Sequence, residues 1–175
     1  MDTMSSQGGI RPNFLGDWPK IDSTAFVDLS AQILGNVHIG ADVYVGPLTV
    51  IRADEPGPDG KVHPVIIEDG SYVQDGVIVH AREGTSVRIG SSTNLAHGVI
   101  IHGPCTIGQG CFLALRATVP SHTMIPAGSV IRSKYDVRNY RLTTEKEMEY
   151  QRSVFRASAA LRSGYREFFG TAKNR

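Results

Sequence analysis

The sequence predicts an all-β solenoid of short parallel strands, completed by one C-terminal α-helix. Three observations carry that prediction. An aliphatic residue recurs every six positions over most of the chain, and a small or β-branched residue stands two positions before each one. The 19 glycines and 9 prolines are spread along the chain rather than clustered, as frequent turns between short strands require. An α-helix cannot sustain a six-residue period, because its apolar stripe returns every 3.6 residues or so. A hairpin sandwich would show alternation broken at intervals of roughly 8–12 residues.

The elements follow in order. A first register runs through Val27, Ile33, Ile39, Val45 and Ile51. A second holds Ile67, Val73 and Val79, and a third runs from Ile89 through Leu95, Ile101, Ile107, Leu113, Val119 and Ile125 to Ile131. The large aliphatic fills the interior, the small residue fits the bend, and three hexads close one coil. Neighbouring coils stack about 4.8 Å apart, each covering the apolar edge of the next. Two turn-rich insertions break the register and should bulge out as loops: Asp54-Glu55-Pro56-Gly57-Pro58-Asp59-Gly60 and Ala81-Arg82-Glu83-Gly84. After Ile131 the period changes. Thr144 and Glu147 have capping-box spacing, Val154, Ser158, Leu161, Tyr165 and Phe168 form one helical stripe, and Gly170 offers a stop. The chain thus reads as a single domain over residues 1–175, with the β-helix at about 13–135 and the helix at about 144–169. The termini, to about Pro12 and after Gly170, should be loose.

Composition narrows the function. Lys plus Arg is 18 against 17 Asp plus Glu, so no charge excess points to nucleic acid. No apolar run has the length of a membrane span, and the first residues lack a secretory pattern, so the expected compartment is the cytoplasm. Two cysteines, Cys105 and Cys111, are too few for a disulfide framework and fall at inward positions, as buried thiols.

The register also states which residues stack. Arg52, His80 and His102 each follow an inward aliphatic, and three hexads separate successive members once the insertions are removed. They form one column, with the His80 and His102 backbones about 5 Å apart, close enough to share a metal. Asp75 and His97 form a second column on a different face, with Gln74 beside it. One isolated histidine is usually an ordinary polar corner residue; His38, His63 and His122 fall in neither column and keep that reading. Against a second subunit, His97 could complete a three-imidazole site with an open position, the donor set of catalytic Zn²⁺.

The strings Ile51-Arg52-Ala53-Asp54-Glu55, Val73-Gln74-Asp75-Gly76-Val77-Ile78-Val79-His80, Leu95-Ala96-His97 and Ile101-His102-Gly103-Pro104 resemble the γ-class carbonic anhydrases. The lean is toward their archaeal prototype and carboxysome-associated relatives, and the match covers about Phe26 to Ile131. The resemblance implies a left-handed β-helix of triangular section and a homotrimer binding one Zn²⁺ (or Fe²⁺ or Co²⁺) per subunit. It implies His80, His97 and His102 as ligands, two from one subunit and one from the next. The implied reaction is reversible hydration of CO₂ to bicarbonate by a metal-bound hydroxide. Arg52 and Asp75 would pair across the interface, with Asp54 in the same network. Gln74 would orient the reactants, Glu55 would carry the proton with Glu83 as a second candidate, and Val77 and Val99 would offer CO₂ an apolar patch.

The chain departs from the prototype at Tyr72 and Ser158, which stand where active-site asparagines would be, and its acidic proton-shuttle loop is cut to residues 81–84. These departures keep a second reading open, a non-catalytic metal-binding trimer or scaffold. A third is a hexapeptide acyltransferase acting on an acyl-CoA, which needs no histidine trio.

Overall fold

The computed structural model describes residues 9–133 and 141–169. The chain winds as a left-handed parallel β-helix of about six turns, with one C-terminal helix. Its strands are two to four residues long and assemble into three sheets, one per side of the prism, parallel throughout except where Arg141–Leu142 adds antiparallel to Ser129–Ile131. The first sheet stacks Ile10–Arg11, Gln32–Gly35, Val50–Ala53, Ile78–His80, Ile100–His102 and Thr118–Val119. Ile10–Arg11 pairs with Ile33 and Leu34, so this stretch is strand rather than loose chain. Gly170 lies outside the described residues.

The six-residue aliphatics form the core. All of them, from Val27 to Ile131, are at most 3% exposed. The small residues two positions earlier are buried too, and their hydroxyls serve corner carbonyls: Thr49 donates to the Gln74 carbonyl at 2.9 Å and Ser71 to that of Gly90 at 3.1 Å. This satisfies buried backbone oxygens that an aliphatic would leave unpaired. The corners repeat as well. A left-handed residue stands three positions after most inward aliphatics, glycine at 70, 76, 98, 110 and 128 but Asp42, Leu48, Ser92, Arg116 and His122 elsewhere. Glycine takes that conformation without a Cβ penalty.

The helix spans Glu145–Phe169 and opens with the expected capping box. The Thr144 hydroxyl and backbone N–H donate to the Glu147 carboxylate at 2.9 and 3.0 Å, and the Glu147 N–H returns to the Thr144 hydroxyl at 3.4 Å. Its docked face differs from the expected stripe. Leu161 and Phe168 are exposed. The contacts run through Phe155 on Tyr72, Ser158 on Gln74, Arg162 on Asp42, and Tyr165 on Phe26. The helix therefore covers the sheet bearing Phe26, Tyr44, Tyr72, Asn94 and Phe112. No described helix is long and apolar enough to cross a membrane.

Candidate metal centre

The first sheet holds its polar column in register: His80 lies opposite Arg52 on one side and His102 on the other. Val79 and Ile101 point inward, so the alternation of a strand turns both imidazoles outward. The rings meet edge to face with centroids 5.1 Å apart. Ile78 and Ile100, two residues before the histidines, are 40% and 42% exposed and give this face an apolar surface. Val77 and Val99 do not: both are fully buried, because they occupy the inward corner position two before each aliphatic.

The two insertions meet beside the histidines. Gly57 and Gly84 approach so closely that a Cβ on either would lie 2.7 Å from the other's Cα. The contact brings Glu55 and Glu83 together in a definite way. The Glu83 backbone N–H donates to Glu55 Oε2 at 3.0 Å, whereas the Glu83 side chain is exposed. Glu55 Oε1 lies 3.0 Å from His80 Nε2 and accepts from Arg52 Nη2 at 3.3 Å. Arg52 also donates through Nε to Asp54 at 2.8 Å. Within one subunit Arg52 is thus held by its own loop.

His80 Nε2 is buried, and its near neighbour is the Glu55 carboxylate at 3.0 Å. Burial holds the His80 pKa below its ordinary value, with the Glu55 charge opposing and the Arg52 charge reinforcing that shift. A neutral imidazole is the chemical state a metal ligand needs. His102 engages Ser121 through Nδ1 at 2.9 Å.

The second column is also in place. His97 follows Asn94–Leu95, which pairs with Tyr72–Val73, and the Asp75 N–H donates to His97 Nδ1 at 3.3 Å. His97 and Asp75 are both more than half exposed, at a different corner from His80 and His102. Among the described residues of one chain, no three His, Cys, Asp or Glu side chains gather to hold a metal. Gln74 and Ser158 lie beneath the helix, joined by a hydrogen bond from Gln74 Nε2 to the Ser158 hydroxyl at 3.0 Å. Tyr72 is 6% exposed with its ring on Phe155, 4.9 Å between centroids, so it serves the helix seam.

No protein-family model matches the chain. Individual relatives do. A carbonic anhydrase of Methanosarcina thermophila is 29% identical over 94% of this chain and 84% of its own length. The carboxysome assembly protein CcmM of a Nostoc species is 30% identical over 83% of this chain, and the carnitine operon protein CaiE of Escherichia coli 34% identical over 67%. The chain is similar to the γ-class carbonic anhydrases and their hexapeptide-repeat relatives. It spans 31% of CcmM and 56% of CaiE, so it matches a part of each. The fold recurs in a Bacillus cereus protein assigned as an acetyltransferase, with a TM-score of 0.66 at 22% identity, covering 93% of this chain and 99% of that one. It recurs again in a hexapeptide transferase family protein of Anaplasma phagocytophilum, at 0.55 and 20%, covering 90% and 98%.

Sequence reasoning missed Ser121. The only signal for it was its place one residue beyond Pro120, the position that follows Val119 as His102 follows Ile101.

Proposed function

We propose that this chain catalyses the reversible hydration of CO₂ to bicarbonate, as a homotrimer with one divalent cation, Zn²⁺ or alternatively Fe²⁺ or Co²⁺, at each subunit interface. The observation that carries the reading is the in-register His80–His102 pair, whose rings lie 5.1 Å apart on an outer face. In this proposal His97 of a neighbouring copy completes the ligand set.

The residues fit such an ion. Three imidazoles suit borderline-soft divalent cations, and a cation on His80 Nε2 would replace the proton that faces Glu55 Oε1 at 3.0 Å. A bound cation of this class lowers the pKa of a coordinated water to about 7, which supplies a nucleophile at neutral pH. The chain's own groups do the rest. Ile78 and Ile100 border the histidines with apolar surface, suited to an uncharged, nonpolar substrate. Glu55, fixed by Arg52 and by the Glu83 N–H, stands beside His80 and can take a proton outward. Gln74 commits one N–H to Ser158 and keeps its amide oxygen for orienting a donor.

A second reading, a non-catalytic metal-binding scaffold, is favoured by one feature: Tyr72 packs on the helix and Ser158, on the helix, is bonded to Gln74, so both serve the helix seam. The experiment is CO₂ hydration by stopped flow on protein purified without oxygen, with metal content and oligomeric mass measured on the same sample. Fast hydration by a trimer with about one metal per chain is the expected result. Metal and trimer with hydration no faster than free zinc would leave the scaffold. A metal-free monomer would overturn both.

A further inference from the structure

We propose that Ser121 is a positioning residue that sets the tautomer of His102; its role toward a cation rests on the metal reading above. The Ser121 hydroxyl lies 2.7 Å from the Gly103 carbonyl oxygen and 2.9 Å from His102 Nδ1. A carbonyl oxygen only accepts, so the shorter contact takes the hydroxyl's single proton. The oxygen then has only lone pairs to offer the ring, and the His102 contact must be an Nδ1–H donated to Ser121. In the neutral imidazole this leaves Nε2 as the lone-pair nitrogen. The relay is anchored at both ends in backbone. Gly103 is tied by its N–H to the His80 carbonyl at 2.8 Å, and the His122 N–H donates to the Pro104 carbonyl at 2.6 Å, fixing the corner that carries Ser121.

The effect is specific to this ligand. His80 has Glu55 at its Nε2, and His97 Nδ1 accepts from the Asp75 N–H, so neither ring gains an Nδ1–H partner from these contacts. Groups one step behind a ligand that fix ring orientation and raise basicity are each worth about 10–100-fold in metal affinity.

Two measurements test the assignment. In ¹⁵N-histidine NMR of the metal-free protein, His102 should show a protonated Nδ1 and a bare Nε2, and Ser121→Ala should mix the two tautomers. In zinc titrations against a competing chelator, Ser121→Ala should weaken binding roughly 10–100-fold, and Ser121→Thr, which keeps the hydroxyl, should restore it. An Nε2–H tautomer in the unsubstituted protein would overturn the proposal without any variant. So would Ser121→Ala binding zinc within about twofold of the parent, far from the expected loss. An unsubstituted protein that binds no zinc would overturn the metal reading itself, a failure distinct from that of Ser121.

Discussion

Ser158→Ala tests whether the helix is bound to the solenoid through Gln74. The two side chains are 9% and 2% exposed and share one 3.0 Å hydrogen bond. Removing the hydroxyl leaves a buried amide N–H without its helix partner, which costs about 1–3 kcal/mol. At this chain length each kcal/mol lowers Tm by about 2–4 °C. Gln74→Leu alone leaves the hydroxyl, whose proton can turn to a helix carbonyl, so it should cost less. The double variant removes both groups and orphans neither, so its loss should fall short of the sum by about 0.5–1.5 kcal/mol. The assay is urea unfolding of all four proteins at one subunit concentration, with m-values compared. Additivity within about 0.3 kcal/mol would refute the coupling. An unchanged Ser158→Ala would refute the bond itself.

Glycines of one turn should fail for different reasons. A Cβ on Gly108 would lie 2.3 Å from the Ala127 nitrogen, so Gly108→Ala should force two coils apart and cost about 1–3 kcal/mol or more in thermal unfolding. Gly110, at φ 66° with open space around it, should cost only the left-handed strain of about 1–2 kcal/mol, and the reverse order would sink this account. In metal-free protein His80 stays below its ordinary 6.5 through burial. The unfolded chain therefore binds a proton near that pH that the folded chain refuses, and stability should fall as pH drops through 6.5 toward the lowered value. His80→Gln should flatten the slope, leaving the like-signed share of His38, which burial and Lys20 also lower; an unaltered slope refutes the assignment. Burial lifts the Cys105 thiol to about 12 and raises Cys111, so neither should react with a thiol reagent until the chain unfolds.

Much of this architecture was legible because a solenoid converts sequence separation into spatial register. Three hexads made one coil, so subtraction alone put His80 on His102, where the strands pair, and His97 on Asp75, where the Asp75 N–H meets the ring. What the period could not convey is orientation off the sheet. The expected stripe shared Ser158 and Tyr165 with the docked face, but the polarity of Gln151 and Arg162 hid the rest of that face, and apolarity drew in Leu161 and Phe168, which are exposed. The same limit applied to the apolar patch. The resemblance put Val77 and Val99 in the patch, yet the corner geometry turns them inward and leaves Ile78 and Ile100 outside. Ser121 was invisible for another reason: its role arises from a corner carbonyl, and backbone acceptors carry no sequence signature.

The proposed site also carries its own demand for a second chain. The His80–His102 column continues to Arg52 on one side and to Pro120 on the other. A guanidinium repels a cation and proline offers no donor, so the column cannot supply a third ligand. His97 of the same chain stands at another corner, with its ring against Asp75. If the trimer reading holds, two defective subunits should repair each other. His97→Ala retains the column and His102→Ala retains the exposed imidazole, so each alone should lose tight zinc. Co-refolded in equal amounts, about three-quarters of cyclic trimers are mixed, and each mixed ring has one interface with all three ligands. About one quarter of the parent's tight zinc should therefore return, a stoichiometry that neither variant reaches alone. Tight zinc in His97→Ala by itself would place the third ligand within the chain. Mixed trimers that bind none would remove His97 from the site.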